Sequence, residues 1–364
     1  MNFLNMQTIE RNAALFLAAL LLLFLSGCGG TPPEKAATDE SVSEIAETSD
    51  EPQTPDDTTG LLEIPVEYDP VAVRIAALKG PTAMGLVELM SNDAYSNYEF
   101  TLAASPDEVA PRLIQGELDI ACVPANLAAV LYNRTGGEIV TLAVNTLGVL
   151  YIVENGNAVQ SIEDLRGMTI AASGKGSTPE YALYYLLRQH GLEPEIDVMI
   201  DWKSEHSECV TALATGNATV ALLPQPFVTV AQNQLEDLRV ALDLTREWDA
   251  LNNGSALITG VAAARRTFVE EHPAAVAQFL NGYAASVAWV NDNVSDAAAL
   301  IGAADIVPAP VAEKALPYCN IVCVSGGELA AILPGYLSVL HEAAPESVGG
   351  TLPESDFYYL ADAS

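Results

Sequence analysis

The sequence is poor in positive charge. It contains 15 Lys and Arg against 48 Asp and Glu, which gives a formal net charge of −33 over 364 residues. A surface of this sign repels nucleic acid and anionic lipid headgroups. The composition therefore argues against nucleic acid as a partner. It leaves the charge of a small ligand open, because a cleft can differ in sign from the surface around it.

Histidine is scarce, and the motifs of common catalysts are missing. The four histidines are His190, His206, His272 and His341. None of them forms a His-Glu-x-x-His pattern, and no Gly-x-Ser-x-Gly nucleophile elbow occurs. Residues 174–178 place a lysine beside glycine but lack the order of a phosphate-binding P-loop. His206 and Cys209 would share one helix face, yet two ligands are too few for zinc. The sequence therefore predicts no catalytic site, no metal site and no cofactor.

Cysteine is too sparse to form a disulfide framework. Apart from Cys28, the cysteines are Cys122, Cys209, Cys319 and Cys323. Their pairing cannot be deduced from four scattered positions, even in an exported protein. Three of them lie in apolar runs, where a free thiol behaves as a small core residue. The pair Cys319 and Cys323 is interpreted either as core or as a disulfide.

Long apolar runs are absent after the first thirty residues. Residues 13–25 are apolar, which is too short to cross a hydrocarbon core of about 30 Å but suits a secretory signal. The run ends in Leu-Ser-Gly-Cys at Cys28, which resembles the bacterial lipobox. The resemblance implies a lipoprotein signal peptide over residues 1–27 and a lipid anchor at Cys28. An ordinary signal peptide with a chance cysteine is the alternative.

The segment after Cys28 is acidic and polar. Residues 31–70 hold twelve Asp and Glu against the single Lys35. Such a segment buries too little apolar surface to offset the entropy of ordering it. We expect residues 28–70 to be the lipidated cysteine followed by a disordered, extended tether.

From residue 71 the pattern changes to apolar strands that alternate with helices. Nearly continuous apolar strands between helices are typical of a mainly parallel sheet covered on both faces. The pattern restarts near residue 150, and the chain later returns with one strand followed by helices. We predict an α/β fold of two lobes, with residues 71–150 and 256–364 in lobe 1 and the inserted residues 151–255 in lobe 2. Two crossing strands near residues 147–153 and 243–256 would join them.

Three stretches resemble solute-binding proteins of ABC importers, in the nitrate, sulfonate, taurine and pyrimidine-precursor class. They are residues 74–85, residues 165–171 with Gly176-Ser177-Thr178, and residues 271–280. The resemblance implies a type II periplasmic-binding-protein fold that captures a small polar or anionic solute between its lobes. It also implies delivery to a membrane permease served by a cytoplasmic ATPase, by a monomer at the outer face of the cell membrane or in the periplasm. An exported enzyme and a ligand-sensing receptor on the same fold are the alternatives.

The ligand site is predicted from the direction of the strands. In open parallel sheets, ligands bind outside the carboxyl ends of the strands, where loops lead into helix N-termini. Four such turns carry suitable residues, although a Ser or Thr there is often only a cap and a Gly only a turn. The predicted ligand-binding residues are Lys79, Gly80, Pro81, Thr82, Pro124, Ala125, Asn126, Gly174, Lys175, Gly176, Ser177, Thr178, Pro224 and Gln225.

Two lysines stand out in these turns. Lys79 and Lys175 each lie beside a glycine, one in each predicted lobe, in a body with few cations. We hypothesise that they hold an anionic ligand and draw the lobes together, while two solvated loop lysines are the alternative. Tyr181 and Trp202 are candidates for stacking on a heterocycle, or for ordinary core or rim positions.

Overall fold

The structure is a computed structural model that describes residues 69–360. The predicted signal peptide, Cys28 and the tether as far as residue 68 lie outside the described residues. Within residues 69–360, none of the helices combines the length and the apolar character needed to cross a membrane.

Strands and helices alternate along the described chain as the sequence predicts. The first segment contains β1 (Val73–Leu78), α1 (Pro81–Met84), α2 (Val87–Ser91), β2 (Tyr98–Ala103), α3 (Pro106–Ile114), β3 (Ile120–Pro124), α4 (Ala125–Thr135) and β4 (Ile139–Leu147). The second contains β5 (Leu150–Asn155), β6 (Thr169–Ser173), α5 (Thr178–Gln189), β7 (Met199–Lys203), α6 (His206–Ala214), β8 (Val220–Pro224), α7 (Phe227–Gln234), β9 (Leu238–Asp243) and α8 (Leu244–Ala250). The third contains β10 (Ile258–Arg265), α9 (Arg266–Glu271), α10 (Pro273–Asp292), α11 (Val294–Ala303), α12 (Ala309–Ala315), β11 (Ile321–Ser325) and α13 (Gly326–Ala343).

Two separate sheets result, each covered by helices. The first has the order β11-β4-β10-β3-β1-β2, and the second has the order β7-β6-β8-β5-β9. In the first sheet, β1 to β4 share one direction while β10 and β11 run against them. In the second sheet, β6 to β9 share one direction and β5 runs against them. We call the first sheet with its helices lobe 1 and the second lobe 2.

The chain passes between the lobes twice, by different means. From β4 to β5 it crosses through Gly148 and Val149 alone. The return from β9 to β10 contains α8, whose N-cap Asp243 accepts a hydrogen bond from the backbone N–H of Thr245 at 2.9 Å. The sequence analysis had predicted an extended strand for this return and had not identified α8.

Strand β11 is a second element that the sequence analysis did not identify. It lies at the edge of the first sheet beside β4 and contains Cys323. Cys122, Cys209, Cys319 and Cys323 are all free thiols, so the disulfide interpretation of Cys319 and Cys323 is wrong. Cys319 is buried in the core, which agrees with the other interpretation.

A buried aromatic cluster joins the lobes at the second crossing. Trp248 of α8 is fully buried, with its ring 4.8 Å from that of Tyr185 on α5 and 5.7 Å from that of Tyr336 on α13. Its indole N–H donates to Ser255 Oγ at 3.0 Å. Aromatic pairs at these distances stabilise packing beyond the area they bury. The cluster therefore fixes α5 of lobe 2 against α13 of lobe 1.

A buried carboxylate ties three strands of lobe 1 together at the end away from α1 and α4. Asp119, just before β3, accepts hydrogen bonds from the Arg74 backbone N–H and side chain at 2.7–2.9 Å. Arg265, at the end of β10, donates to the same carboxylate at 2.7 Å. Burial alone would raise the pKa of Asp119, but the two guanidinium groups outweigh it and hold the pKa below its usual value.

Replacing this carboxylate should destabilise the protein strongly. Asp119→Asn leaves Arg74 and Arg265 without their counter-charge, and we expect the free energy of unfolding to fall by about 3 kcal/mol. Urea denaturation of the purified protein measures this loss. Asp305→Asn, which breaks an exposed ion pair with Lys79, is the matched control and should leave the midpoint near that of the wild type. Equal midpoints for the two variants would contradict the role of Asp119.

Candidate functional site

A cleft of about 570 Å³ lies between the two lobes, at the carboxyl ends of their strands. Ten of the fourteen residues predicted from the sequence line it, and the other four do not. The ten are Lys79, Gly80, Pro81, Thr82, Pro124, Gly174, Ser177, Thr178, Pro224 and Gln225. A volume of this size falls within the range of small-molecule sites, which runs from about 300 to 1,000 Å³.

The first turns of six helices face this cleft. The residues that begin them and line the cleft are Pro81 of α1, Pro106 of α3, Pro124 before α4, Thr178 of α5, His206 of α6 and Phe227 of α7. The backbone N–H groups of a first helical turn have no acceptor within the helix, and the dipole places its positive end there. The arrangement therefore offers neutral donors and a positive potential to a ligand.

Several hydroxyl groups in the cleft donate to their own backbone. The Thr82 hydroxyl donates to the carbonyl of Leu78 at 2.9 Å, and the Ser177 hydroxyl donates to the carbonyl of Gly174 at 2.8 Å. These bonds close the turns between strand and helix, which is the capping role weighed for such residues in the sequence. Both hydroxyl oxygens can still accept a hydrogen bond, but their protons are already donated to the backbone.

Asn126 and Ala125 lie beneath the cleft rather than on its surface. Asn126 is 2% exposed, and its amide N–H₂ donates to the carbonyl of Ser347 at 3.1 Å. Its side-chain oxygen accepts from the Thr178 hydroxyl at 3.3 Å. Because Asn126 starts α4 of lobe 1 and Thr178 starts α5 of lobe 2, this bond links the lobes at the base of the cleft. The prediction that Asn126 and Ala125 face the ligand is not supported by this placement.

The two lysines occupy different environments. Lys79 lines the cleft, and its ammonium group pairs with the Asp305 carboxylate at 2.7 Å. Among the described residues that line the cleft, Lys79 is the single Lys or Arg. Lys175 and Gly176 are exposed and lie outside the lining. Gly174 (φ 85°) and Gly176 (φ 76°) turn the backbone on both sides of Lys175. Burial alone would raise the pKa of Glu195, but hydrogen bonds, chiefly from Tyr184 and Trp202, outweigh this effect and hold the pKa below its usual value. The charge of Lys175 makes a smaller contribution to lowering this pKa.

Tyr181 and Trp202 also lie outside the cleft lining. The indole N–H of Trp202 donates to Glu195 Oε1 at 3.2 Å, and its ring packs 6.3 Å from that of Tyr184. These residues therefore occupy the rim and core positions that the sequence analysis gave as the alternative to stacking.

The sequence analysis missed His206 as a residue of the cleft. Its ring lies in the lining, with Nδ1 2.5 Å from the Ser173 hydroxyl and the ring centre 5.1 Å from that of Phe227. Close packing of protein atoms around the ring lowers the pKa of His206 to about 4. The rule that located the other turns would have found it, because His206 begins the helix that follows β7. The sequence analysis considered it only as a metal ligand; among the described residues no group of three or more metal-ligating side chains occurs.

Two carboxylates of the cleft lining lie at helix starts. Glu108 lines the cleft and accepts from the backbone N–H groups of Ala104 and Ser105 at 3.2 and 3.1 Å. Glu205 lines it as well, and accepts from the Ser207 hydroxyl at 3.0 Å. Negative charge at these starts stabilises the helices and partly offsets their dipoles.

Comparison with known proteins agrees with this architecture. A family model described as the phosphonate ABC transporter periplasmic substrate-binding protein matches residues 84–310, which is more than half of the chain. The chain belongs to this family. It is therefore the extracytoplasmic substrate-binding component of an ABC transporter, and the enzyme and receptor alternatives are not favoured. A search of curated proteins found no match.

Solved structures with the same fold support the two-lobed architecture of this substrate-binding protein. An ABC transporter protein from Parabacteroides distasonis has a TM-score of 0.68 and 23% identity, over 80% of this chain and 99% of the other. The aliphatic sulphonate binding protein SsuA from Escherichia coli has a TM-score of 0.64 and 20% identity, over 80% and 93%. The alkanesulfonate-binding protein SsuA from Xanthomonas axonopodis pv. citri, bound to MOPS, has a TM-score of 0.61 and 16% identity, over 79% and 96%.

The environment of His206 makes the protein sensitive to mild acid. An unfolded histidine takes up a proton near pH 6.5, whereas folded His206 stays neutral down to about pH 4. Between these values the unfolded state binds more protons, so stability falls as the pH falls. The melting temperature of the wild type should therefore drop more between pH 7 and pH 4.5 than that of His206→Gln.

Thermal unfolding at both pH values measures this difference. His341→Gln, which replaces a histidine on α13 outside the cleft lining, is the control and should follow the wild type. An equal drop in the wild type and His206→Gln would contradict the assignment.

Proposed function

We propose that the protein captures a small organic anion in the cleft between its lobes. The observation that carries the proposal is the convergence of six helix N-termini on a cleft whose wall includes Lys79. Backbone N–H groups at helix starts bind phosphate, sulfate and carboxylate groups. The phosphonate description of the family and the sulphonate ligands in the names of two similar structures support the same ligand class.

The apolar part of the wall supports a ligand with a carbon skeleton rather than a bare inorganic ion. The apolar residues of the lining include Leu78, Val149, Leu150, Phe227, Ile306 and Val307. The cleft volume of about 570 Å³ also exceeds what an inorganic anion fills. An alkyl or ring substituent on the anionic group would cover this surface and gain the free energy of apolar burial.

Binding would favour a closed arrangement of the lobes, because only there does the ligand contact both walls. With the lobes divided near residues 150 and 256, the two crossings act as the hinge. The monomeric closed form would then dock on a membrane permease whose cytoplasmic ATPase drives import. The protein would release the ligand unchanged, without catalysing a reaction.

We also propose that the protein is a lipoprotein. The apolar run over residues 13–25 followed by Leu-Ser-Gly-Cys supports cleavage before Cys28 and lipidation of its thiol. The acidic residues 31–68 would act as a tether that keeps the binding domain near the permease, which raises the effective concentration of the complex.

Lys79 provides the sharpest test of the ligand class. Purified wild type is screened by thermal shift against alkylphosphonates, alkanesulfonates, nitrate and uncharged pyrimidine precursors. A ligand present at one hundred times its dissociation constant stabilises the folded state by about 2.7 kcal/mol. We expect a shift with an organic anion, and Lys79→Met should weaken that affinity about tenfold, because the variant lacks the single cationic side chain of the described lining. It should also reduce the dependence of affinity on salt.

Lys175→Met is the matched control, because it removes the same charge from a glycine-flanked loop outside the cleft. We expect its affinity and salt dependence to equal those of the wild type. An equal loss in both variants would mean that net charge, rather than contact, governs binding. Shifts with uncharged compounds alone would overturn the anion proposal.

The lipid anchor is tested at Cys28. In cells fed a labelled fatty acid, the wild type should carry the label and partition into the detergent phase of Triton X-114. Cys28→Ser should carry no label and stay in the aqueous phase, because it lacks the thiol that accepts the lipid. Cys323→Ser, which replaces a half-buried free thiol, is the control and should behave as the wild type does. Label retained on Cys28→Ser would contradict the proposal.

A further inference from the structure

The two walls of the cleft differ in chemistry. Lobe 1 contributes Lys79, the single Lys or Arg among the described lining residues. Lobe 2 contributes no Lys or Arg to the described lining; its groups include the imidazole of His206, the Phe227 ring, the Ser173 hydroxyl and the carboxylate of Glu205. A ligand that spans the cleft would therefore place its anionic group toward lobe 1 and some other group toward lobe 2.

His206 is held in a fixed orientation on the lobe 2 wall. Ser173, which is 2% exposed, lies 2.5 Å from Nδ1, and the Phe227 ring packs against the imidazole at 5.1 Å between ring centres. Nε2 makes no hydrogen bond to any residue between 69 and 360, while the residue lines the cleft. One ring nitrogen is thus used to position the ring, and the other is available to a ligand.

The His206 imidazole is neutral, although charged groups lie near it. On its own helix, Glu205 accepts from the Ser207 hydroxyl and Glu208 accepts from the Ser204 backbone N–H. At the end of β7, Lys203 pairs with Asp201 at 2.7 Å. Cys209 is a buried thiol whose pKa burial raises to about 11. No carboxylate of the described residues is bonded to the imidazole, and burial keeps the ring neutral at neutral pH.

A neutral imidazole in such a position selects among ligands by hydrogen bonding rather than by charge. When the cleft closes, water is removed from Nε2, and a ligand that leaves this atom unpaired loses the free energy of the missing bond. A site built to hydrogen-bond a ligand group therefore rejects the analogue that lacks the group.

We propose that His206 is a specificity-determining contact, which selects small organic anions that carry a neutral hydrogen-bonding group, such as a hydroxyl, on the end opposite the anionic group. This inference rests on the proposed function, because it requires an organic anion in the cleft. It adds which part of the ligand lobe 2 recognises and which atom, His206 Nε2, does so.

The test uses pairs of anions that differ by one hydroxyl. Isothermal titration of the full chain measures affinities for ethanesulfonate and 2-hydroxyethanesulfonate, ethylphosphonate and 2-hydroxyethylphosphonate, and the corresponding three-carbon pairs. In at least one pair the wild type should bind the hydroxylated member about tenfold more tightly, as expected for one buried neutral hydrogen bond. His206→Phe, which keeps a ring against Phe227, should lose this preference, because it lacks the nitrogen that the hydroxyl pairs with. His206→Gln should keep part of the preference.

Two further measurements separate contact from a structural role. The imidazole ¹⁵N resonance of His206 Nε2 should shift on addition of the hydroxylated anion, and shift less with its unsubstituted partner. His190→Phe, on α5's C-terminal end outside the cleft lining, is the matched control and should keep the wild-type preference.

The outcomes distinguish this inference from the proposal on which it rests. If the wild type binds none of the anions, the proposed function fails and the inference fails with it. If the wild type binds them but prefers no hydroxylated member, or if His206→Phe keeps the preference, only the role of His206 is overturned. A uniform loss of affinity for both members of every pair in His206→Phe would also overturn it, because that pattern indicates disturbed packing.

Discussion

The shared direction of the strands within each lobe is the constraint from which the cleft follows. β1 to β4 run one way in the first sheet, and β6 to β9 run one way in the second. The turns that lead from these strands into helices therefore emerge at the same edge of each sheet. When the two edges face each other, the unpaired N–H groups of several first helical turns meet in one space. No single residue creates this site; the topology brings its parts together.

Electrostatic interactions at two length scales make the acidic protein compatible with the proposed anionic ligand. The chain has a net charge of −33, which repels anions at a distance. Salt limits that repulsion, since the Debye length is about 8 Å at physiological ionic strength. Inside the cleft, helix dipoles and Lys79 act at contact distance in a less polar medium, where each interaction is stronger. Asp305 pairs with Lys79, so the anionic group of a ligand would replace the Asp305 carboxylate at this ammonium group.

Local sequence signals predicted the elements that depend on neighbouring residues. A capping box of Ser161 and Asp164 is one such local signal, in which the Ser161 backbone N–H donates to the Asp164 carboxylate at 2.9 Å. The alternation of strands and helices was likewise read from apolar runs and turn residues. Strand β11 was missed because it is short and follows the buried Cys319. Helix α8 was missed because its first residues continue directly from β9, with no glycine or proline between them. Strand β11 depends on its distant partner β4, whereas α8 has a local start signal in its N-cap Asp243 that the sequence analysis did not use.

The sequence by itself determined the fold class, the order of the βα units and the turns that contribute to the cleft lining, because these depend on hydrophobic period and local turn chemistry. Only the tertiary structure decided which turn residues line the cleft. Lys79 and Lys175 both lie beside a glycine, yet only Lys79 lines the cleft, while Lys175 is exposed outside it. Asn126 forms an interlobe hydrogen bond with Thr178. His206 lies in the cleft wall, where it contacts Ser173 and Phe227. Such outcomes depend on contacts between residues far apart in the chain, which a single sequence does not specify.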